Sequence, residues 1–319
     1  MSTLEEGAKF GTKLLETLDK FTSPWNKRRQ NKADMEADQK KLDMIRNNPD
    51  MDIVYVNGEM SARRRDPVAL AERAQQRELA DSIRQQENLE DILDLASGEG
   101  EAEETVSDKP VDEDWITRFF SIAKDVNSEE MKIIWAKILA GEIKQPGSFS
   151  LRTMEMLRSI SKREAEEFQR VAQFILLSRG VGYIPREDEM LKKYQVYYGT
   201  ILDLDDCGLI NSGSTIGFVR KKEDTPFYAG NSERIIFVEV RKEIEGNITI
   251  PAYTLTRAGN ELFSVLKPAG NAEFIQEYAQ ILAEKKKYKV TVHEVESVLN
   301  DGNMRYNRNP VIAYGEIEA

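Results

Sequence analysis

Glu239 and Arg241 stand two residues apart in the run IIFVEVR, residues 235–241, and so share one face of a strand. A carboxylate followed by a base at this spacing resembles the end of a restriction-type nuclease site. That chemistry gathers carboxylates around a divalent metal and uses a lysine on the attacking water, so an upstream acid such as Asp224 would have to join them. Arg241 replaces the lysine poorly, because a guanidinium stays protonated and spreads its charge over a planar fork. The same alternation is what any strand with one wet face shows.

Other chemistry is narrowed by what the chain holds. Every Ser-His-Asp or Cys-His arrangement would pass through His293, the one histidine, which alternates with Val290, Val292 and Val295 and reads as a half-exposed strand or loop residue. One histidine and one cysteine, Cys207, exclude zinc sites of paired histidines or several cysteines, and also an internal disulfide. GAKFGTK at residues 7–13 echoes a phosphate loop, but three residues separate its glycines and Thr12 precedes the lysine, so the nucleotide reading fails. No metal and no cofactor are expected.

Binding is better supplied. Arg220, Lys221 and Lys222, with Lys192 and Lys193, are nucleic-acid candidates. Against them stand Asp203, Asp205 and Asp206 in the helix that would enter a groove, which phosphate repels. A second candidate is the polar corner of Ser148, Ser150, Arg152 and Arg158, where hydroxyls and backbone N–H groups at a helix start suit an anion or a partner.

The elements that must position these residues are mostly helical. Leu4, Ala8, Leu14, Leu15 and Leu18 make a first apolar stripe, and MDIVYV before Asn57-Gly58 a short strand in need of a partner. A long helix starts at Pro67 and carries Leu70, Ala74, Leu79, Ile83, Leu89, Ile92 and Leu95 as a thin stripe between charged faces. This pattern suits a coiled-coil pairing with another helix and predicts a homo-oligomer. Region 1–95 is therefore expected to be helical and oligomerising. Residues 96–112 are acidic and poor in large apolar side chains, and read as a flexible linker that holds much of the net charge of −11.

Residues 113–182 read as a helical domain: Trp115, Ile116, Phe119, Phe120 and Ala123 on one helix, Met131, Ile134, Trp135, Ile138 and Leu139 on the next, then breaks at Gly141 and Pro146-Gly147. Asn127 with Glu130 and Ser161 with Glu164 have the spacing of capping boxes. Over 183–268 a helix ending at Cys207-Gly208, alternating strands and Tyr253 to Leu262 (Tyr-x-Leu-Thr-x-x-Gly-x-x-Leu) resemble a winged helix. Residues 269–319 add a helix and a mobile tail. The expected fold class is mainly α with a small α+β part. The N-terminus has acids where a leader needs bases, and no long apolar run exists, so a cytoplasmic protein without a membrane span is expected.

Three boxes carry a resemblance: Pro24-Trp25 with Arg28-Arg29; Arg84, Gln85, Asn88, Leu89, Glu90 and Ile92; and the block Trp135 to Leu157. Together they resemble an uncharacterised bacterial and prophage-borne family of unknown function, similar to abortive-infection (Abi-alpha-like) proteins. The resemblance implies a setting of mobile elements and phage defence and carries over no catalytic residue. The reading favoured is a non-enzymatic protein that binds a protein or nucleic-acid partner. The alternative is a winged-helix DNA-binding regulator, followed by a metal-dependent nuclease.

Overall fold

The computed structural model describes residues 7–18, 51–56, 59–64, 67–99, 106–213, 217–220, 227–240, 248–285, 288–298 and 303–314. They belong to two compact units, Met1–Ser148 and Phe149–Ala319.

The first unit holds helix α1 over residues 7–18, hairpin β1 (Met51–Val56) and β2 (Glu59–Arg64), and helices α2 (Pro67–Gly98), α3 (Glu113–Ala123) and α4 (Glu129–Lys144). The partner that MDIVYV requires is the next segment: β1 and β2 pair antiparallel with Val56 opposite Glu59. Asp112 starts α3 by accepting the Trp115 N–H at 2.9 Å, and Glu113 and Asp114 complement the positive end of the helix. Trp115 then stacks on Phe119 at 5.2 Å, and Phe119 meets Trp135 edge-on at 5.4 Å.

The cap of α4 is Ser128 and not Asn127. Gly141 does not break the helix, which runs on to Lys144. The turn comes at Gly147, where φ is +92° and the N–H donates to the buried Glu142 carboxylate at 2.6 Å. Asn127 instead accepts from Asn88 Nδ2 at 3.1 Å, and Asn88 also donates to the Lys124 carbonyl at 3.0 Å.

That contact explains the second sequence box. Asn88, Ile92 and Ala96 are buried along one side of α2, and Gln85 Nε2 donates to Asp125 Oδ1 at 2.9 Å. Lys132 of α4, 6% exposed, pairs with Asp91 at 2.6 Å and with Glu129 at 2.9 Å, and these carboxylates hold its ammonium above the ordinary lysine value. Helix α1 buries Phe10, Leu14 and Thr17 while Leu15 stays exposed, so its stripe is displaced from the one expected. Of the expected linker, Val106 and Val111 are buried and residues 100–105 lie outside the described ones.

The second unit opens with α5 (Leu151–Ser159) and α6 (Lys162–Ala172), the latter started by the Ser161–Glu164 capping box with both of its hydrogen bonds present. Then come β3 (Leu176–Ser178), β4 (Val181–Pro185), α7 (Asp188–Lys193), α8 (Tyr198–Asp206), β5 (Ile210–Asn211), β6 (Gly217–Arg220), β7 (Phe227–Gly230), β8 (Arg234–Val240) and β9 (Ile248–Leu255). Helices α9 (Arg257–Leu266) and α10 (Ala272–Glu284) and strands β10 (Tyr288–Val298), β11 (Met304–Tyr306) and β12 (Ile312–Tyr314) complete it.

The expectation of a mainly α chain with a small α+β part and a winged helix is overturned here. Among the described residues ten strands form one sheet in the order β11-β10-β8-β7-β3-β4-β9-β5, with β12 on β10 and β6 on β9. All the pairings are antiparallel. The strands expected to form a wing are members of this sheet. It is joined in the middle by β3 and β4, whose apolar start, Phe174 to Leu176, reads in sequence as the end of a helix.

Arg179 and Gly180 make the β3–β4 turn with φ of +50° and +77°, positive at both central residues as a type I′ hairpin requires. Helix α10 buries Phe274, Ile275, Tyr278, Ala279 and Leu282 and packs on β8 and β10, which gives the sheet its core. The motif Tyr253 to Leu262 is a packing device in this setting. Thr256 caps α9 through the Gly259 N–H at 3.0 Å, and a Cβ on Gly259 would lie 2.0 Å from the Leu209 carbonyl oxygen, so only glycine fits.

Candidate functional site

The nuclease candidates are not brought together by the described residues. Glu239 is exposed on β8, opposite Lys289 of β10, while Asp224, Arg241, Lys221 and Lys222 lie outside the described residues. Arg220 closes β6 opposite Ile248. Among the described residues no group of three or more histidine, cysteine or acidic residues is placed to hold a metal ion.

Two of the cations expected to meet phosphate, Lys192 and Lys193, are turned to acids of their own unit. Lys192 pairs with Glu189 at 2.7 Å, and Lys193 pairs with Glu277 at 2.7 Å. Glu277 also accepts from the Tyr194 hydroxyl at 2.9 Å. Lys193, and then Tyr194, hold the Glu277 carboxyl below the usual carboxylate range.

His293 is 8% exposed, more buried than its half-polar strand suggests, because the rings of Phe237 and Tyr306 cover it. Its Nδ1 lies 2.9 Å from the Asn307 carbonyl and must carry a proton to bond there. Its Nε2 lies 3.0 Å from Thr291 Oγ1, and the ring packs edge-on to Phe237 and Tyr306. These contacts position a structural imidazole.

The polar corner is occupied by the chain itself. Ser150 caps α5, and the carboxylate of Glu261, on α9, accepts from the Ser150 N–H at 2.8 Å, the Ser150 hydroxyl at 3.2 Å and the Thr153 hydroxyl at 2.6 Å. Arg257 holds the other carboxylate oxygen at 2.7 Å. The group at this helix N-terminus is a carboxylate of the chain itself, from a residue 111 positions away in sequence. The clue available was an acid on the apolar arc Ala258, Leu262 and Val265. Arg152 is exposed and Arg158 lies 3.8 Å from Glu155. Leu151 is 45% exposed, and Met154 is the apolar residue that α5 buries near its start. Ser148, which ends the first unit, donates to the Gln145 carbonyl at 2.7 Å.

A cleft of about 390 Å³ beside α1 is lined by Lys9, Lys13, Glu16, Ser107 and Asp108 among others. Its ammonium groups are already committed. Lys13 donates to the Ile143 carbonyl at 2.7 Å and the Ser107 carbonyl at 2.9 Å, which caps the last turn of α4. Lys9 bonds Val106 O and Asp108, each at 2.7 Å. Burial, and then the charge of Lys9, lower the Lys13 pKa. The cleft is the seam along which α1 docks on this unit.

Cys207 ends α8 beside Glu164, and burial, followed by that carboxylate, pushes its thiol up to about 12. A raised thiol pKa leaves little thiolate at pH 8, so alkylation by iodoacetamide is expected to be slow in the folded protein and fast in urea. Equal rates in the two conditions would refute this burial.

What remains open is the outer side of α2. Glu72, Gln76, Leu79, Ile83, Gln86 and Glu90 follow one another at intervals of four and three residues and are all exposed, which makes a straight seam along one face. It lies opposite the buried Asn88, Ile92 and Ala96. Leu79 is 57% and Ile83 50% exposed. No helix among the described residues is long and apolar enough to cross a membrane.

A search of curated proteins and a search of solved structures each return no match. A family model does match, over residues 72–182 and 185–279, covering α2, α3, α4 and most of the elements of the second unit. The chain therefore belongs to the family described as protein of unknown function (DUF2806).

Proposed function

We propose that the chain is a non-enzymatic interaction protein that assembles through the outer face of α2, first of all with copies of itself. The observation that carries this reading is the pair Leu79 and Ile83, half or more exposed on a 32-residue helix. From Glu72 to Glu87 every residue is exposed or half-buried, and a helix with so little tertiary packing is marginal in water. Two large aliphatic side chains on such a stretch favour association, because covering them removes apolar surface from water. The resemblance of the three sequence boxes to abortive-infection proteins supports placing that assembly in phage-infected cells.

Sedimentation velocity of the full chain checks the proposal. The sedimentation coefficient is expected to rise with concentration, and the double variant Leu79→Asp/Ile83→Asp is expected to stay monomeric with its helical circular dichroism retained. A parent that remains monomeric throughout the range would overturn the reading. Phage plating on cells with and without the double variant then tests the cellular setting.

A further inference from the structure

The seam on α2 reads the same in both directions. Reversing it about Asp81 maps Leu79 onto Ile83, Gln76 onto Gln86 and Glu72 onto Glu90, so the row Glu-Gln-Leu-Ile-Gln-Glu keeps its chemistry. A surface that matches its own reverse is what a two-fold interface between identical chains needs, since the same patch serves both partners. We infer that α2 pairs antiparallel with α2 of a second copy about a two-fold axis near Asp81, a geometry that rests on the self-assembly proposed above.

The flanking residues choose the direction. With Leu79 and Glu72 at d positions and Gln76 and Ile83 at a positions, Arg73, Ala80 and Glu87 are e residues, and Gln75, Ser82 and Leu89 are g residues. An antiparallel pair sets e against e, which brings Arg73 of each copy to Glu87 of the other and Ala80 to Ala80 at the axis. The side chains of Arg73, Ala80 and Glu87 are exposed. A parallel pair sets g against e and offers Gln75 with Ala80 and Ser82 with Glu87, neither an ion pair. Small residues at the centre, Ala80 and Ser82, let the backbones approach until Leu79 and Ile83 interlock. The like-charged ends, Glu72 and Glu90, are exposed at the margins, where solvent screens them, and Glu90 already accepts from Gln86 at 2.8 Å.

The test separates register from association. In the full chain carrying Cys207→Ser, Ala80→Cys is expected to form a disulfide-linked dimer under mild oxidation, while Arg73→Cys is not. Arg73→Glu is expected to weaken self-association several-fold and Arg73→Glu/Glu87→Arg to restore it. Within one helix these two residues stand about 21 Å apart at 1.5 Å per residue, so a rescue reports a contact between chains. Cross-linking by Arg73→Cys as well as Ala80→Cys would overturn the antiparallel arrangement, which holds the two copies of Arg73 far apart. Self-association that Leu79→Asp/Ile83→Asp abolishes, without cross-linking at Ala80→Cys or charge-swap rescue, would overturn the register and leave the assembly reading standing. A monomeric parent would overturn both.

Discussion

Replacing Trp135 with alanine is expected to destabilise the first unit by about 3–5 kcal/mol, the usual cost of emptying a large aromatic site. The side chain is fully buried and is held by the edge of Phe119, itself stacked on Trp115, so the rings bordering a void there cannot all collapse inward. Trp135→Phe is expected to cost less than half as much. The indole N–H of Trp135 has no hydrogen-bond partner among the described residues, and a buried donor left unmet is itself unfavourable, so phenylalanine loses volume but also removes that penalty. Urea denaturation followed by tryptophan emission measures both. All three tryptophans, Trp25, Trp115 and Trp135, lie between residues 1 and 148, so the signal reports the first unit and persists through Trp115 in either variant. An alanine variant within about 1 kcal/mol of the parent, roughly a fivefold change in the unfolding constant, would mean that the site refills and that Trp135 does not organise this core.

The legibility of this chain follows the range of its contacts. Ser161 with Glu164 and the apolar face of α3 are set by residues three or four apart, and each is present as read, whereas the stripe read on α2 is divided, with Ile92 buried on one side and Leu79 and Ile83 exposed on the other. The sheet depends on pairings that no local window contains. Leu177 meets Gly230, and Tyr183 meets Thr254, far along the chain in both cases. The run from Phe174 to Leu177 is equally apolar as helix or strand, and periodicity alone does not separate the two. Arg179-Gly180 is the one local mark of the hairpin. The Tyr253 to Leu262 motif misled for a related reason: its threonine and glycine serve a helix cap and a close approach to Leu209, needs that arise in many folds besides the winged helix. Leu79 and Ile83 of the outer face of α2 read in sequence as one stripe with Ile92, because apolar spacing alone does not say which side is packed. The occupant of the polar corner was not legible, because it arrives from another helix.

That occupant yields the second large effect. Glu261→Ala is expected to destabilise the second unit by about 2–4 kcal/mol, since it strips several donors of their shared acceptor while leaving them in place. The Glu261 side chain is 11% exposed and Thr153 only 1%, so water replaces the lost bonds poorly. The Ser150 and Thr153 hydroxyls, 3.0 Å apart, can still bond each other, but the Ser150 N–H cannot share in that. Glu261→Gln is expected to fall between, because the amide keeps one acceptor oxygen but loses the charge that the α5 N-terminus favours and turns an NH₂ toward other donors. The rate of Cys207 alkylation in a urea series reports this unit, which holds no tryptophan. Sulfate then separates a broken anchor from an emptied anion site. If the corner is an anion site filled by its own chain, sulfate is expected to recover more stability in Glu261→Ala than in the parent at equal ionic strength, through binding to the folded state alone. Equal gains in both would show that the donors disperse once the carboxylate is gone, and that Glu261 builds the corner it occupies.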